Sequence, residues 1–227
     1  MVKRNKRIKP LLWICSIVAG LAIVGPVITK ENFHINRKIL KTAENKYGKD
    51  AVERLVAWEN FIRQDNSSSD MDKLEKTNRF FNEMIMFVND IDLWGVKDYW
   101  ATPLEFLCRR AGDCEDFAIA KYFTLAEMGI PEKKLNILYV KALRYNQAHM
   151  VLTYLDLEDS SAEPLVLDNL VDSIEPSSKR TDLLPVFSFN DTGLWLAKQR
   201  GRGKFVGSSD RIDSWKDLLR KMIDKPL

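Results

Sequence analysis

Hydrophobic residues in the first half of the chain recur every three or four positions, which is the period of a helix that buries one face. This pattern runs through residues 39–62 and again through residues 74–88. The polar segment 65–70 interrupts it and is rich in turn-forming residues. The pattern therefore predicts helices from residue 31 to about residue 90, followed by a loop that extends to residue 99.

Two further helix starts are marked by residues that commonly begin helices. Thr102 precedes Pro103, and this pair is typical of a helix N-cap and the first helical residue. An apolar run begins at Cys114 and continues to Gly129 and Pro131, which are typical of a helix end. These signals predict a short helix after Thr102 and a longer one that starts at Cys114.

The second half of the chain changes to the short apolar runs of β-strands. The turns between these runs are short, which favours antiparallel pairing. The expected strands cover residues 135–140, 149–155, 164–168, 185–189 and 193–197, and a last helix covers residues 213–222. The order of elements predicts an α+β fold, with a helical N-terminal lobe followed by an antiparallel meander sheet.

Composition and charge describe a globular protein. Hydrophobic residues make up 45% of the 227 residues and charged residues 30%, and the net charge is +3 at pH 7. Five basic residues lie among the first ten, so the remainder of the chain is close to neutral. A nucleic-acid partner is therefore not expected.

An apolar run over residues 11–28 follows this basic cluster and is long enough to cross a bilayer as a helix. Basic residues ahead of such a run stay on the cytoplasmic side, so the rest of the chain is expected across the membrane. The run is either a signal peptide or an uncleaved anchor, with a buried core helix as a third alternative. We therefore divide the chain into residues 1–30, the signal or anchor, and residues 31–227, the functional domain.

Cys114 stands at a predicted helix start among three carboxylates, Asp113, Glu115 and Asp116. A helix N-terminus favours the reactive thiolate, whereas neighbouring negative charge disfavours it. A nucleophilic Cys114 therefore needs a cation to offset these acids. The alternative is structural: Asp113 caps the helix, the other acids favour its dipole, and Cys114 is a small buried side chain.

A histidine and an aspartate on separate predicted strands complete a candidate catalytic set. His149 begins one strand and Asp168 ends the next. With Cys114 on a helix start, this is the order and placement of a Cys-His-Asp hydrolase, although a structural histidine and a solvated aspartate are the alternative. A disulfide between Cys108 and Cys114 would exclude the catalytic role, but the chain has no wider disulfide framework.

Five motifs in this order resemble the bacterial transglutaminase-like cysteine proteases, most closely the LapG-type periplasmic adhesin-processing proteases. The resemblance covers roughly residues 45–200. It implies a transglutaminase-like, papain-like fold with Cys114 as nucleophile, His149 as base and acid, and Asp168 as the residue that orients His149. The motifs are residues 98–106 (DYWATPLEF), 112–122 (GDCEDFAIAKY), 149–152 (HMVL), 165–169 (LVLDN) and 185–190 (PVFSFN).

The resemblance also implies a calcium site formed by Asp113, Glu115 and Asp116. Calcium prefers several oxygen ligands, which these side chains can supply. Asp113 and Asp116 lie three residues apart and share one helix face, whereas Cys114 and Glu115 are expected to point elsewhere. One helix turn cannot supply every ligand, so loop carbonyls or waters must add the others, from either the helical lobe or the loop 89–92.

Acyl transfer also needs donors for the oxyanion of the transition state. The backbone N–H of Cys114 is one candidate, because it lies at a helix N-terminus. Trp100 is the other, by analogy with the transglutaminase fold. The alternative for Trp100 is a core aromatic residue, since tryptophan is largely buried on average.

The resemblance implies a specific substrate and a specific inhibitor. The substrate is a large surface adhesin, cut once near its N-terminus at an Ala-Ala-type site and released from the outer membrane, which promotes biofilm dispersal. The inhibitor is the periplasmic domain of an inner-membrane receptor that senses cyclic di-GMP. The residues leave two alternatives open: a transglutaminase or amidase with the same triad, and a non-catalytic calcium-responsive binding module.

Overall fold

The computed structural model describes residues 33–65, 69–196, 203–225 and 227 of the chain. The apolar run over residues 11–28 lies outside these ranges, so its role as a signal or an anchor stays a prediction. In the part that is described, no helix is both long enough and apolar enough to cross a membrane.

The predicted helical lobe is present in the first part of the chain. Gly48 separates the first two helices at φ +86°, a conformation that favours glycine, so the first helical stretch becomes two helices. The side chain of Asn36 caps the first helix, and that of Ser69 caps the third. The α-helices of the described residues are α1 (Arg37–Tyr47), α2 (Lys49–Gln64), α3 (Asp70–Met84), α4 (Asp90–Leu93), α5 (Pro103–Arg109), α6 (Cys114–Glu127) and α7 (Asp213–Asp224).

The helix signals around Thr102 and Cys114 are confirmed. Thr102 and Glu105 form a capping box at the start of α5, in which each side chain accepts a hydrogen bond from the other residue's backbone N–H. α6 begins at Cys114, and Gly129 follows its end at φ +86°. The predicted loop after residue 88 differs, because it contains the single helical turn α4.

The β-strands of the described residues are β1 (Met86–Phe87), β2 (Ala111–Gly112), β3 (Leu135–Ala142), β4 (Gln147–Tyr154), β5 (Leu165–Leu167), β6 (Glu175–Pro176), β7 (Leu183–Asn190), β8 (Gly193–Leu196) and β9 (Lys204–Gly207). β1 and β2 pair in parallel, apart from the main sheet. The others form one antiparallel sheet in the order β6-β5-β4-β3-β7-β8-β9. The predicted meander is therefore two runs of consecutive strands, and a return connection places β7 beside β3.

α6 is the central helix of the core. Most of its residues are buried, including the charged side chain of Lys121. It packs against β3 and β4 of the sheet and against α3 and α5 of the helical lobe. Trp215 of α7 stacks on Phe123 of α6, with ring centroids 5.8 Å apart. This packing brings the N-terminus of α6 to β4, the strand that carries His149.

Candidate active site

Cys114 is the first residue of α6 and lines an open cleft. Asp113 occupies the N-cap position, yet its side chain makes no capping hydrogen bond. The Asp113 carboxylate therefore does not cap the helix, as the structural alternative required. Gly112 allows the chain to pass close to α5, because a Cβ atom there would lie only 2.6 Å from the ring of Phe106.

The register of the sheet places His149 beside Asp168. β4 and β5 pair with Leu152 opposite Leu167, so Asp168, the next residue, comes level with Val151 and on the same face as His149. His149 Nε2 and Asp168 Oδ1 are 2.8 Å apart, and both side chains are almost completely buried. Because Nε2 is bonded to the carboxylate, Nδ1 is the ring nitrogen left for a thiol.

Three donors hold Asp168 as a carboxylate. Besides His149, these are the backbone N–H of Leu170 at 2.9 Å and Arg180 Nη2 at 2.7 Å. Burial by itself raises the pKa of Asp168, but the three hydrogen bonds outweigh it and lower the pKa to about 2. The carboxylate is therefore ionised at neutral pH. No sequence signal singled out Arg180.

The thiol of Cys114 and the ring of His149 line the same cleft, but the thiol donates its hydrogen bond elsewhere. Sγ donates to Glu115 Oε2 at 3.1 Å, and the backbone N–H of Met150 donates to the sulfur. Burial and the Glu115 carboxylate raise the pKa of the thiol well above its ordinary value. Cys114 is therefore a protonated thiol here, and the negative charge beside it must be offset before it can act as a nucleophile.

The sequence predicts that Glu115 points away from the neighbouring acids, but in the structure its carboxylate lies beside them. Asp113, Cys114 and Glu115 bring metal-ligating atoms within 4.8 Å of one another. Asp90, Asp113 and Asp116 form a second group of the same size. Asp90 comes from α4 and belongs to the loop 89–92, one of the predicted sources of further ligands. The structure thus gathers all three predicted ligands and adds Asp90, which also forms a third group with Asp98 and Glu115.

These carboxylates lack the partners that ionised groups need in a protein interior. Burial, with a contribution from Glu115, raises the pKa of Asp113 to about 10 and that of Asp90 to about 6. The pKa of Asp116 is also raised, chiefly by burial. Asp90, Asp113 and Asp116 each have one oxygen with no hydrogen-bond partner among the described residues. Unpartnered carboxylate oxygens that lie this close together fit a hard divalent cation.

Trp100 borders the cleft and is 6% exposed. Its ring stacks on Phe189, with centroids 5.7 Å apart, and Nε1 donates to Asp98 Oδ1 at 3.0 Å. The indole N–H is thus engaged in this arrangement, and the oxyanion role of Trp100 stays a prediction. The backbone N–H of Cys114, at the start of α6, is the other candidate donor.

Cys108 is a buried thiol of α5. Both Cys108 and Cys114 are free, so a disulfide between them is excluded. Burial raises the pKa of Cys108 to about 11, which makes it an unreactive thiol at neutral pH. It therefore serves as a matched control for Cys114.

A thiol at a helix N-terminus, a buried His–Asp pair on adjacent strands and a cleft shared by thiol and histidine define a papain-like or transglutaminase-like thiol hydrolase. The family model described as bacterial transglutaminase-like cysteine proteinase, BTLCP, matches residues 56–201. The chain belongs to this family and is a cysteine protease.

Solved structures agree with this assignment. LapG of Legionella pneumophila is 41% identical with a TM-score of 0.69, and the match covers 87% of this chain and 99% of LapG. A calcium-bound LapG structure from the same organism is 42% identical with a TM-score of 0.68, covering 86% and 99%. An EGTA-treated one is 41% identical with a TM-score of 0.69, covering 87% and 100%. No curated relative matches the chain.

Proposed function

We propose that the protein is a calcium-dependent periplasmic endopeptidase that cleaves the N-terminal region of a large surface adhesin. The observation that carries calcium dependence is the cluster of Asp90, Asp113, Glu115 and Asp116 beside Cys114, with its unpartnered oxygens. The similarity to LapG, for which a calcium-bound structure is known, supports the same ion. When bound, calcium supplies a positive charge that offsets the negative charge of these carboxylates.

The proposed reaction passes through a covalent acyl-enzyme. His149 Nδ1 takes the proton of the Cys114 thiol. The thiolate attacks the carbonyl carbon of the scissile amide, and the backbone N–H of Cys114 stabilises the oxyanion. The C–N bond breaks as His149 gives its proton to the leaving amine, and a thioester remains. Water then attacks the thioester, His149 takes the proton of that water, and the carboxylic acid leaves as the thiolate is restored. Asp168 keeps His149 in the tautomer that both steps use.

The cleft is suited to an extended polypeptide. It has a volume of about 650 Å³ and is open to solvent. Phe87, Tyr145 and Leu170 line it with exposed apolar surface, which can hold the side chains of a peptide. These features support a protein substrate. The choice of an adhesin, and of an Ala-Ala-type site near its N-terminus, rests on the resemblance to LapG-type proteases.

Control by a cyclic di-GMP receptor belongs to the same proposal. The periplasmic domain of the receptor would bind the protease and hold it inactive, so that its release allows adhesin cleavage and biofilm dispersal. This requires the catalytic domain to lie outside the cytoplasm, which the basic residues ahead of the run 11–28 favour. The topology is tested with a reporter fused after Leu227. Activity of a reporter that functions only in the cytoplasm would contradict the proposal.

The direct test incubates the full chain with an N-terminal fragment of a candidate adhesin and identifies the products by mass spectrometry. We expect a single cut that requires calcium, stops with EGTA and slows when the periplasmic domain of the receptor is added. A labelled amine and a glutamine peptide are included as a second arm. Amine incorporation without cleavage would indicate a transglutaminase, and calcium binding without either reaction would indicate a binding module.

A further inference from the structure

Asp168 is held on both of its carboxylate oxygens, and Arg180 binds the second one. Oδ1 accepts hydrogen bonds from His149 Nε2 at 2.8 Å and from the backbone N–H of Leu170 at 2.9 Å. Oδ2 accepts from Arg180 Nη2 at 2.7 Å. Arg180 is 6% exposed, so this ion pair lies in the interior of the protein, behind the histidine.

Arg180 is itself fixed in orientation. Its Nε and Nη2 donate to the two carboxylate oxygens of Asp182 at 3.0 and 2.8 Å, which orients the planar guanidinium. Its backbone N–H donates to the carbonyl of Ser177, and its own carbonyl accepts from Leu183, where β7 begins. The connection from β6 to β7 therefore presents Arg180 to Asp168 in one defined geometry.

The other cationic side chain near Asp168 contacts a different atom. Lys121 Nζ donates to the backbone carbonyl of Asp168 at 3.2 Å, and Asn82 Nδ2 donates to the same carbonyl at 2.9 Å. Burial lowers the pKa of Lys121 to about 7, whereas an arginine keeps its charge at any physiological pH. Among the described residues, Arg180 is thus the permanent cation in contact with the carboxylate.

We propose that Arg180 is a positioning residue that acts on His149 through Asp168. The inference rests on the proposed catalytic roles of Cys114, His149 and Asp168. An ionised carboxylate in the protein interior is costly without a cationic partner, and one bound on a single oxygen is free to turn. Arg180 keeps Asp168 ionised with Oδ1 directed at Nε2. The histidine proton is thereby fixed on Nε2, and Nδ1 is left for the thiol.

The kinetic test compares three variants of the full chain with calcium and the adhesin fragment. R180Q removes the charge, and we expect kcat to fall about 10- to 100-fold with KM nearly unchanged, as when a group that orients an active-site ligand is lost. R180K keeps the charge and should recover most of this loss. K179Q is the matched control: it removes the exposed positive charge of the neighbouring residue, which pairs with Glu175, and should change kcat by less than about 3-fold.

The tautomer of His149 is measured without any substrate. The chain contains two histidines, so ¹⁵N-histidine labelling gives two imidazole spectra, and H34Q assigns them. His34 is a safe reference, because it is mostly exposed and is bonded to Glu59. We expect the His149 proton on Nε2 in the wild type and R180K, and a substantial fraction on Nδ1 in R180Q.

Thermal unfolding first establishes which variants are folded. A folded R180Q with the wild-type tautomer and wild-type kcat overturns the proposal. If R180Q does not fold, R180K decides, and a His149 proton on Nδ1 in that variant overturns it. If the wild type itself does not cut the adhesin fragment, the proposed substrate fails, whereas the tautomer spectra still decide the role of Arg180.

Discussion

The carboxylates of the site fall into two groups, whose charges are balanced in opposite ways. One is Asp168 on the sheet side, and the other is Asp113, Glu115 and Asp116 on the helix side. On the sheet side, Asp168 is bonded to His149 and Arg180, and its pKa is lowered to about 2. On the helix side, Asp113 and Asp116 form no salt bridge within the described residues, and burial raises their pKa values. The first group has its cation among the described residues, whereas the second has no salt-bridge partner there, and we propose that calcium supplies its cation.

The difference indicates two separate tasks at one thiol. The sheet side orients the group that carries protons, which requires fixed geometry and a constant charge. The helix side raises the pKa of the Cys114 thiol, and under the proposed function bound calcium offsets this effect. Changes on the sheet side should therefore be insensitive to calcium, and changes on the helix side should act through it.

The largest effect is expected at the thiol on which both groups act. Cys114→Ala should abolish cleavage of the adhesin fragment at any calcium concentration, because the proposed acyl-enzyme forms on this thiol. The measurement is product formation by mass spectrometry, with calcium present. Cys108→Ala is the control and should keep most of the activity, since Cys108 is buried in α5. Cleavage by a folded Cys114→Ala variant contradicts the assignment of the nucleophile.

The next largest effect is expected on the sheet side. Asp168→Asn should lower kcat by about 10⁴-fold, the loss known for the equivalent change in a serine protease, because the amide favours the wrong histidine tautomer. The loss should be the same at low and high calcium, as measured by initial rates over a calcium titration. Recovery of Asp168→Asn activity at high calcium would show that the two groups of carboxylates do not act separately.

A smaller and reversible effect is expected on the helix side. Chelation should lower kcat by at least about 10-fold and slow alkylation of Cys114, because the uncompensated acids then disfavour the thiolate. Added calcium should restore both, and better than magnesium, which requires a tighter octahedral shell. Asp113→Ala and Glu115→Ala should each imitate the chelator. Unchanged alkylation and cleavage after chelation would show that the acids bind no functional metal.

The same metal should stabilise the fold. In Cys114→Ala, calcium at about 100 times its dissociation constant should add roughly 2.7 kcal/mol to the free energy of unfolding. Thermal unfolding with and without EGTA measures this without any catalysis. Asp116→Asn should remove most of the shift, since Asp116 is buried with one unpartnered oxygen. An equal calcium shift in both variants would place the ion elsewhere.

The smallest effect concerns stability at acidic pH. The pKa of Asp168 is lower in the folded protein, about 2, than its ordinary value of 3.8, so the unfolded chain binds the proton first as pH falls. Its stabilisation is therefore complete above about pH 5 and is lost toward pH 2, with a size of about 2 kcal/mol. Urea unfolding measures the difference in the free energy of unfolding between wild type and Asp168→Asn. This difference should shrink by that amount as the pH is lowered from about 5 toward 2. A difference that does not change with pH contradicts the pairing.

The elements that follow a local pattern are the ones that sequence analysis predicts well. α3, α6 and β4 each carry a hydrophobic period or a capping residue that can be recognised within a few positions. β1, β2 and β6 escape the prediction because a strand of two residues is too short to show alternation. β9, with four residues, is not predicted either. The single turn α4 escapes for the same reason.

The pairing of β7 with β3 is not predicted either, for a different reason. Each strand is visible in the sequence, but nothing local states which free edge a later strand will join. The pairing of Tyr139 with Phe187 joins residues far apart in the chain, and their rings stack with centroids 4.9 Å apart. Such contacts are chosen by burial in the assembled core, so they become known only with the fold.

The amino-acid sequence by itself determined the chemistry: a thiol at a helix start, a histidine and an aspartate on strands, and acids around the thiol. Local signals suffice there, because Cys114 begins a helix, Asp168 directly follows a strand and His149 lies near the start of its strand. Only the tertiary structure decided what balances the buried charges. Arg180 contacts Asp168, and Asp90 lies beside Asp116, because segments that are separate in the sequence pack together. Which cation balances a buried carboxylate therefore depends on the side chains that this packing brings close to it.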